Sequence, residues 1–151
     1  MILGLDVSSV ATGWAIIDSN NRLDYGVIKP PKKMSYENRL VYIYEELSHL
    51  LVYTNGVKEA YIESVFTCKN ANTTIKLAQV RGTAILACKI ARMNIHDVAP
   101  VEVKKHLGNA KADKAYILNE INTIYRLSLN DDNIADAIAI ARYGLWKQKE
   151  S

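Results

Sequence analysis

Cysteine and histidine are scarce in this chain of 151 residues, which has two cysteines and three histidines. Cys68 and Cys88 match neither a zinc-binding spacing nor a disulfide framework, so we expect free thiols in a reducing cytosol. No apolar run approaches the ~20 residues of a membrane span. The N-terminus lacks a basic segment followed by an apolar one, so no signal peptide is predicted. Membrane proteins and disulfide-stabilised secreted domains are therefore not expected.

The length predicts a single domain over residues 1–151, and a composition of 49% hydrophobic and 23% charged residues is ordinary for a globular protein. The net charge is only +3, but it is unevenly distributed. Residues 64–111 contain eight Lys and Arg against Asp97 and Glu102, a local charge of +6, which leaves −3 for the rest. This asymmetry favours an anionic partner for the middle of the chain, with an ordinary solvated helix face as the alternative.

The hydrophobic periodicity predicts a mixed α/β sheet with helices on its faces. Strands are expected at 2–7, at 13–18, after a turn at Asn20-Asn21, at 59–65 and at 95–99. Helices are expected at 36–51 with Ser35 as its cap, at 73–92, at 101–107, from Ala112 or Asp113 to about 125, and at 132–147.

Three carboxylates lie in otherwise apolar surroundings. Asp6 and Glu63 interrupt predicted strands, and Asp136 lies in the apolar segment IADAIAIA, one turn after Asp132. Carboxylates that converge repel each other, and a hard divalent cation, Mg²⁺ or Mn²⁺, neutralises them. Two such ions can activate water and stabilise a leaving oxygen in phosphodiester hydrolysis. The alternatives are a capping role for Asp132 and solvent-facing edge positions for the strand acids.

The chain resembles the RuvC-type Holliday-junction resolvases of the RNase H-like superfamily. The resemblance rests on four segments in order: GLDVSSVATGWAII, YIESVF, VKKHLGNAKADKAYI and ADAIAIA. It implies a five-stranded mixed sheet, with three antiparallel and two parallel strands, flanked by helices. It further implies a Mg²⁺-dependent homodimer that binds four-way DNA junctions and makes paired, symmetric nicks that leave 5′-phosphates.

Residue by residue, the resemblance implies that Asp6, Glu63 and Asp136 are metal ligands. The fourth acidic position is a departure, because this chain has Asn133 where the family commonly has Asp or His. Either Asn133 is a neutral ligand or Asp132 substitutes for it, and charge favours Asp132. Each active site then has four candidate ligands and two ions.

Basic and aromatic positions extend the implied site. Lys104 and Lys114 match family lysines that face the scissile phosphate, and Phe66 matches a position that can insert against bases at the crossover. Candidate contacts to the DNA backbone are Lys69, Lys76, Lys105 and Lys111. The alternatives are a core aromatic for Phe66 and ordinary surface lysines.

Two other functional interpretations place different demands on the chain. An actin-like ATPase or sugar kinase would need a second domain that 151 residues cannot hold. A non-catalytic relative, or one that acts more broadly on forks and flaps, remains open, with Asn133 as the only hint of lost catalysis. The helix at 73–92, which contains several small residues, is expected to form much of the dimer interface. We expect a cytoplasmic enzyme, in the host cytoplasm if the gene is of phage origin.

Overall fold

The computed structural model describes residues 1–65 and 68–151, which form a five-stranded sheet with helices on both faces. The strands are β1 (Ile2–Asp6), β2 (Thr12–Ile17), β3 (Leu23–Ile28), β4 (Glu59–Glu63) and β5 (Asn94–Val98). Their order in the sheet is β3-β2-β1-β4-β5. β1, β2 and β3 pair antiparallel, whereas β4 and β5 join β1 in parallel. The sheet confirms the expected arrangement of three antiparallel and two parallel strands.

The helices agree closely with the sequence periodicity. They are α1 (Tyr36–Tyr53), α2 (Ala71–Ile90), α3 (Pro100–His106), α4 (Lys114–Tyr125) and α5 (Asp132–Glu150). The cap predicted at Ser35 is confirmed, since its side chain accepts from the backbone N–H of Asn38. Asp113, one of the two residues at which α4 is expected to begin, is its N-cap and accepts from the backbone N–H of Tyr116. In the ranges 1–65 and 68–151, no helix is long and apolar enough to cross a membrane.

Alternate residues of the central strands face two hydrophobic cores. Leu3 and Leu5 of β1 point into the core that α1 and α2 cover, together with Ile62 of β4. Ile2 faces the opposite core, which is formed mainly by α4 and α5. This two-residue period is the pleat of a sheet that is buried on both faces.

Two glycines allow α5 to lie directly on the backbone of the sheet. A Cβ on Gly4 of β1 would lie 2.4 Å from Ala137 O and from Ala141 N of α5. A Cβ on Gly13 of β2 would lie 1.9 Å from Asn133 O. These contacts place the first turns of α5 beside the carboxyl end of β1.

Candidate active site

Three carboxylates meet at one edge of the sheet. Asp6 and Glu63 are the last residues of β1 and β4, and these strands are parallel neighbours with Leu5 opposite Ile62. Parallel neighbours end on the same side of a sheet, so the two side chains project from the same edge. Asp136 lies in the second turn of α5, next to Ala137, which packs on Gly4. The fold thus brings together the three acidic residues predicted from the sequence.

The electrostatics of this cluster are those of acids that share a partly buried space. Burial and the neighbouring Asp136 and Glu63 raise the pKa of Asp6 to about 7. Burial and Asp136 also raise the pKa of Glu63. Burial raises the pKa of Asp136, and Asp132 adds to the effect. Each carboxylate is therefore less readily ionised in the protein than in water, and a cation at this edge would relieve the repulsion.

Two lysines partly balance the negative charge of these carboxylates. Nζ of Lys114, at the first position of α4, donates to Oδ2 of Asp136 over 3.3 Å. Burial opposes the charged form of Lys114, but Asp136, Asp6 and Asp132 outweigh it and raise its pKa. The charge of Lys104, on α3, offsets part of the rise in the pKa of Glu63 and of Asp136. Both lysines predicted to face the scissile phosphate thus act on the carboxylate cluster.

Three consecutive polar residues, 131–133, lie at the start of α5 and have different roles. Asp131 is the N-cap, and its Oδ1 accepts from N of Asn133 at 2.9 Å and from Nδ2 of Asn133 at 3.0 Å. Its other oxygen, Oδ2, accepts from Nζ of Lys29 at 2.7 Å. The capping role that the sequence left open for Asp132 therefore belongs to Asp131. Asp132 instead acts on Asp136 and Lys114 through its charge.

The donor set fits a hard cation in its chemistry. Asp6, Glu63, Asp132 and Asp136 offer only carboxylate oxygens, which select ions such as Mg²⁺ or Mn²⁺. Among the described residues, however, no group of three or more His, Cys, Asp or Glu side chains already has the arrangement of a metal site. In this arrangement the positive group bonded to Asp136 is the Lys114 ammonium.

The predicted DNA contacts are more dispersed than the carboxylates. Lys69 is exposed just before α2, and Nζ of Lys76 lies 5.4 Å from the ring centroid of Tyr36. Lys111 is exposed on the segment between α3 and α4. Lys105 faces a different side, where it lines a cleft with His106, Tyr143 and Trp146. Phe66 lies outside the described residues.

Sequence reasoning missed one residue of this edge. Nε of Arg81, on α2, donates to the backbone oxygen of Glu63 over 3.0 Å, and its guanidinium pairs with Asp97 of β5. In the sequence, Arg81 stands out only as one of the eight basic residues of 64–111. The available signal was its position in the apolar segment KLAQVRGTAILA, where a buried arginine needs partners.

Comparison with known proteins gives a consistent result. The family model "Crossover junction endodeoxyribonuclease RuvC" matches residues 2–143. A protein of that name from Caldicellulosiruptor saccharolyticus is 33% identical over 149 residues, covering 93% of this chain and 89% of the relative. The one from Wolbachia pipientis wMel is 35% identical over 148 residues, covering 93% and 90%.

Solved structures show the same fold. A structure of T. thermophilus RuvC in complex with Holliday junction substrate superposes with a TM-score of 0.84 at 19% identity, covering 98% of this chain and 94% of the other. A yeast mitochondrial Holliday junction resolvase superposes with a TM-score of 0.63 at 12% identity, covering 99% and 79%. With the family match over most of its length, this chain belongs to the RuvC family of crossover junction endodeoxyribonucleases, which are metal-dependent nucleases.

Proposed function

We propose that this chain is a structure-selective DNA endonuclease that resolves four-way junctions by paired, symmetric nicks leaving 5′-phosphates. One observation carries the proposal: carboxylates from β1, β4 and α5 meet at one edge of an RNase H-like sheet, where burial and the charge of Asp136 raise the pKa of both Asp6 and Glu63. Acids that repel in this way are typical of a functional site. In this proposal residues 1–151 act as one nuclease domain in the cytoplasm, or in the host cytoplasm if the gene is of phage origin.

The metal centre in this proposal uses Asp6, Glu63, Asp132 and Asp136, with Asn133 as the alternative fourth ligand. The ion is Mg²⁺, with Mn²⁺ able to replace it, and two ions bind in each active site. When bound, they lower the pKa of a water molecule and neutralise charge on the departing oxygen. The charge of Asp132 beside Asp136 supports its place in the set. The bond from Asn133 to Asp131 uses Nδ2 and not the Oδ1 that would bind a cation, so Asn133 stays the alternative.

The lysines in this proposal hold the scissile phosphate. Lys114 is 64% exposed although it bonds to Asp136, so its ammonium can reach an incoming phosphate oxygen. Lys104 approaches the same carboxylates from α3. Two fixed positive charges stabilise the negative charge that builds on a phosphate during in-line attack by water.

Junction affinity in this proposal comes from the basic middle of the chain. Lys69, Lys76, Lys105 and Lys111 contact backbone phosphates, and Phe66 stacks on bases near the crossover. Exposure of Lys69, Lys76, Lys105 and Lys111 supports such contacts. Because Lys105 lies on a different side from the carboxylates, we expect its contribution to be the smallest of the four lysines.

We propose a homodimer with α2 at its interface. The residues of α2 at positions 75, 82, 86 and 90 recur at spacings of seven and four, so they share one face of the helix. Ile75, Leu86 and Ile90 on this face are each more than half exposed, and nothing lies within 4 Å of a Cβ placed on Gly82. A two-fold axis through this face would present two active sites to the two strands of a junction.

Sedimentation velocity tests the interface directly. Leu86→Glu should convert a dimer to a monomer at micromolar concentration, whereas Ile124→Glu, which changes an exposed apolar residue of α4, should leave the dimer intact. A wild-type protein that is monomeric with and without junction DNA would contradict the proposal.

Cleavage of a synthetic four-way junction tests the activity. With Mg²⁺ we expect two symmetric nicks and 5′-phosphate ends, and without it binding alone. Asp6→Asn, Glu63→Gln and Asp136→Asn should each abolish cleavage but preserve binding, while the exposed-strand control Asp24→Asn should behave as wild type. Binding without cleavage would favour a non-catalytic relative. Equal rates on forks, flaps and junctions would favour the broader branched-DNA nuclease.

A further inference from the structure

Arg81 joins the middle of α2 to the ends of two parallel strands. Its Nε donates to the backbone oxygen of Glu63 over 3.0 Å, and its Nη2 pairs with Oδ1 of Asp97. The Arg81 side chain is only 16% exposed, whereas that of Asp97 is 70% exposed. A guanidinium withdrawn this far from water needs good partners, and here both belong to the carboxyl ends of β4 and β5.

The contact falls where the sheet stops supporting β4. The pairing of β4 with β5 ends with Glu63 opposite Val98, followed by one bond from N of Ser64 to O of Val98 at 2.9 Å. Glu63 is thus the last strand residue before the chain turns away toward α2. A bond from Arg81 to the oxygen of Glu63 itself fixes the peptide plane that carries the catalytic-site carboxylate.

Two clefts lie beside Arg81 and the end of β4. A cleft of about 210 Å³ is lined by Val7, Glu63, Cys68 and Arg81, and a second cleft of about 260 Å³ is lined by Arg81, Gly82 and Asp97. Both clefts also include Ser64 and Val65. The strand end therefore borders open space on the α2 side, and the Arg81 side chain spans it.

We propose that Arg81 is a positioning residue for Glu63, with Asp97 orienting its guanidinium. Arg81 acts through the Glu63 backbone and does not touch substrate. It holds the backbone of Glu63 so that its carboxylate stays on the side of Asp6 and Asp136, which limits the rearrangement that cation binding needs. This inference rests on the proposed function, because it takes Glu63 to be a metal ligand.

The experiment compares Arg81→Ala, Arg81→Lys and Asp97→Asn with wild type. Arg22→Ala is the matched control, because it removes another Arg–Asp ion pair, with Asp18, at the turn between β2 and β3. Three quantities are measured: the Mg²⁺ concentration that gives half of the Mg²⁺-induced rise in Tm, the single-turnover cleavage rate, and junction Kd in EDTA.

We expect Arg81→Ala to raise the half-saturating Mg²⁺ concentration by about 10–100-fold, as the loss of a residue supporting a metal ligand does. The cleavage rate at low Mg²⁺ should fall in parallel, with junction Kd unchanged. Lysine keeps the positive charge but lacks the planar guanidinium that reaches both the Glu63 oxygen and Asp97. Arg81→Lys should therefore restore only part of the Mg²⁺ affinity that Arg81→Ala loses. Asp97→Asn keeps an acceptor and should have a smaller effect. Arg81→Lys and Asp97→Asn keep the proposal testable if Arg81→Ala does not fold.

Two results would overturn the inference. One is a Mg²⁺ response in all variants equal to that of Arg22→Ala. The other is a loss of Tm in EDTA and of junction affinity with no change in half-saturating Mg²⁺, which would make Arg81 a purely structural tie. Failure of the proposed function looks different: the wild type would respond to Mg²⁺ in Tm but would not cleave junctions.

Discussion

Replacement of Asp6 by asparagine should stabilise the metal-free protein at alkaline pH while it destroys the site. Burial and two neighbouring carboxylates raise the pKa of Asp6 from its ordinary 3.8 to about 7. Between these two values the folded protein keeps a proton that the unfolded chain has released. Folding stability therefore falls as pH rises from 4 to 7, and above pH 7 the folded protein contains an unfavourable charge.

The magnitude follows from the size of the shift. A difference of roughly three pKa units at about 1.4 kcal/mol each is worth roughly 4 kcal/mol at pH 8. For a domain of this length each kcal/mol corresponds to about 2–4 °C in Tm, so Asp6→Asn should raise Tm by on the order of 10 °C in EDTA at pH 8. At pH 5, closer to the ordinary pKa of 3.8, the same shift is worth only about 1.6 kcal/mol, so the difference in Tm should shrink to a few °C.

Differential scanning calorimetry at pH 5 and pH 8, with EDTA or with Mg²⁺, measures this effect. Mg²⁺ should raise the Tm of the wild type at pH 8, because a bound cation replaces the missing counter-charge, and should raise that of Asp6→Asn much less. Asp24→Asn, on the exposed face of β3, is the control and should change Tm little at either pH. If Asp6→Asn is no more stable than wild type in EDTA at pH 8, the account of mutual repulsion at this edge is wrong.

Three further predictions concern the remaining parts of the site. Asp132→Asn should lower the cleavage rate by roughly 10²–10³-fold, the loss typical of one preorganised charged group, and Asn133→Ala should lower it less; the reverse ranking would make Asn133 the ligand. Lys114→Ala should reduce the cleavage rate more than it reduces junction affinity. Lys69→Ala should leave the cleavage rate unchanged and should reduce the slope of log affinity against log salt concentration by about 1. Equal small effects of both substitutions would identify both as ordinary surface lysines. Gly4→Ala should destabilise the protein by at least the ~1–3 kcal/mol of an overpacked core, and a urea midpoint equal to wild type would show that α5 can shift to accept the methyl group.

The parts of this protein that the sequence predicts well are those with a local cause. Alternation and the 3.6-residue period depend only on nearby residues, so the order of strands and helices follows from them. Asp6 and Glu63 could be identified from the sequence because a carboxylate is unfavourable within a buried strand, so its presence there indicates a functional role. The helix that begins at Ala71 was predicted to begin at 73, because its cap Asn70 lies in a polar segment that reads as loop.

Features that depend on contacts between distant segments could not be predicted. Asp131, Asp132 and Asn133 are all good helix caps by residue type, and only the three-dimensional arrangement assigns that role to Asp131. The partners of Arg81 are 18 and 16 residues away along the chain, on two different strands. The apolar segment around Arg81 indicates that it needs partners, but no local pattern identifies which residues they are.

The contact of α5 with bare backbone determines which parts of the site can move. Packed helices usually slide or roll by small changes in an intervening layer of side chains. At Gly4 and Gly13 that layer is missing, so α5 has little room to slide over the centre of the sheet. Adjustment of the oxygens around a cation would then come from rotations of the carboxylate side chains and of Lys114, which need no helix movement on the microsecond scale.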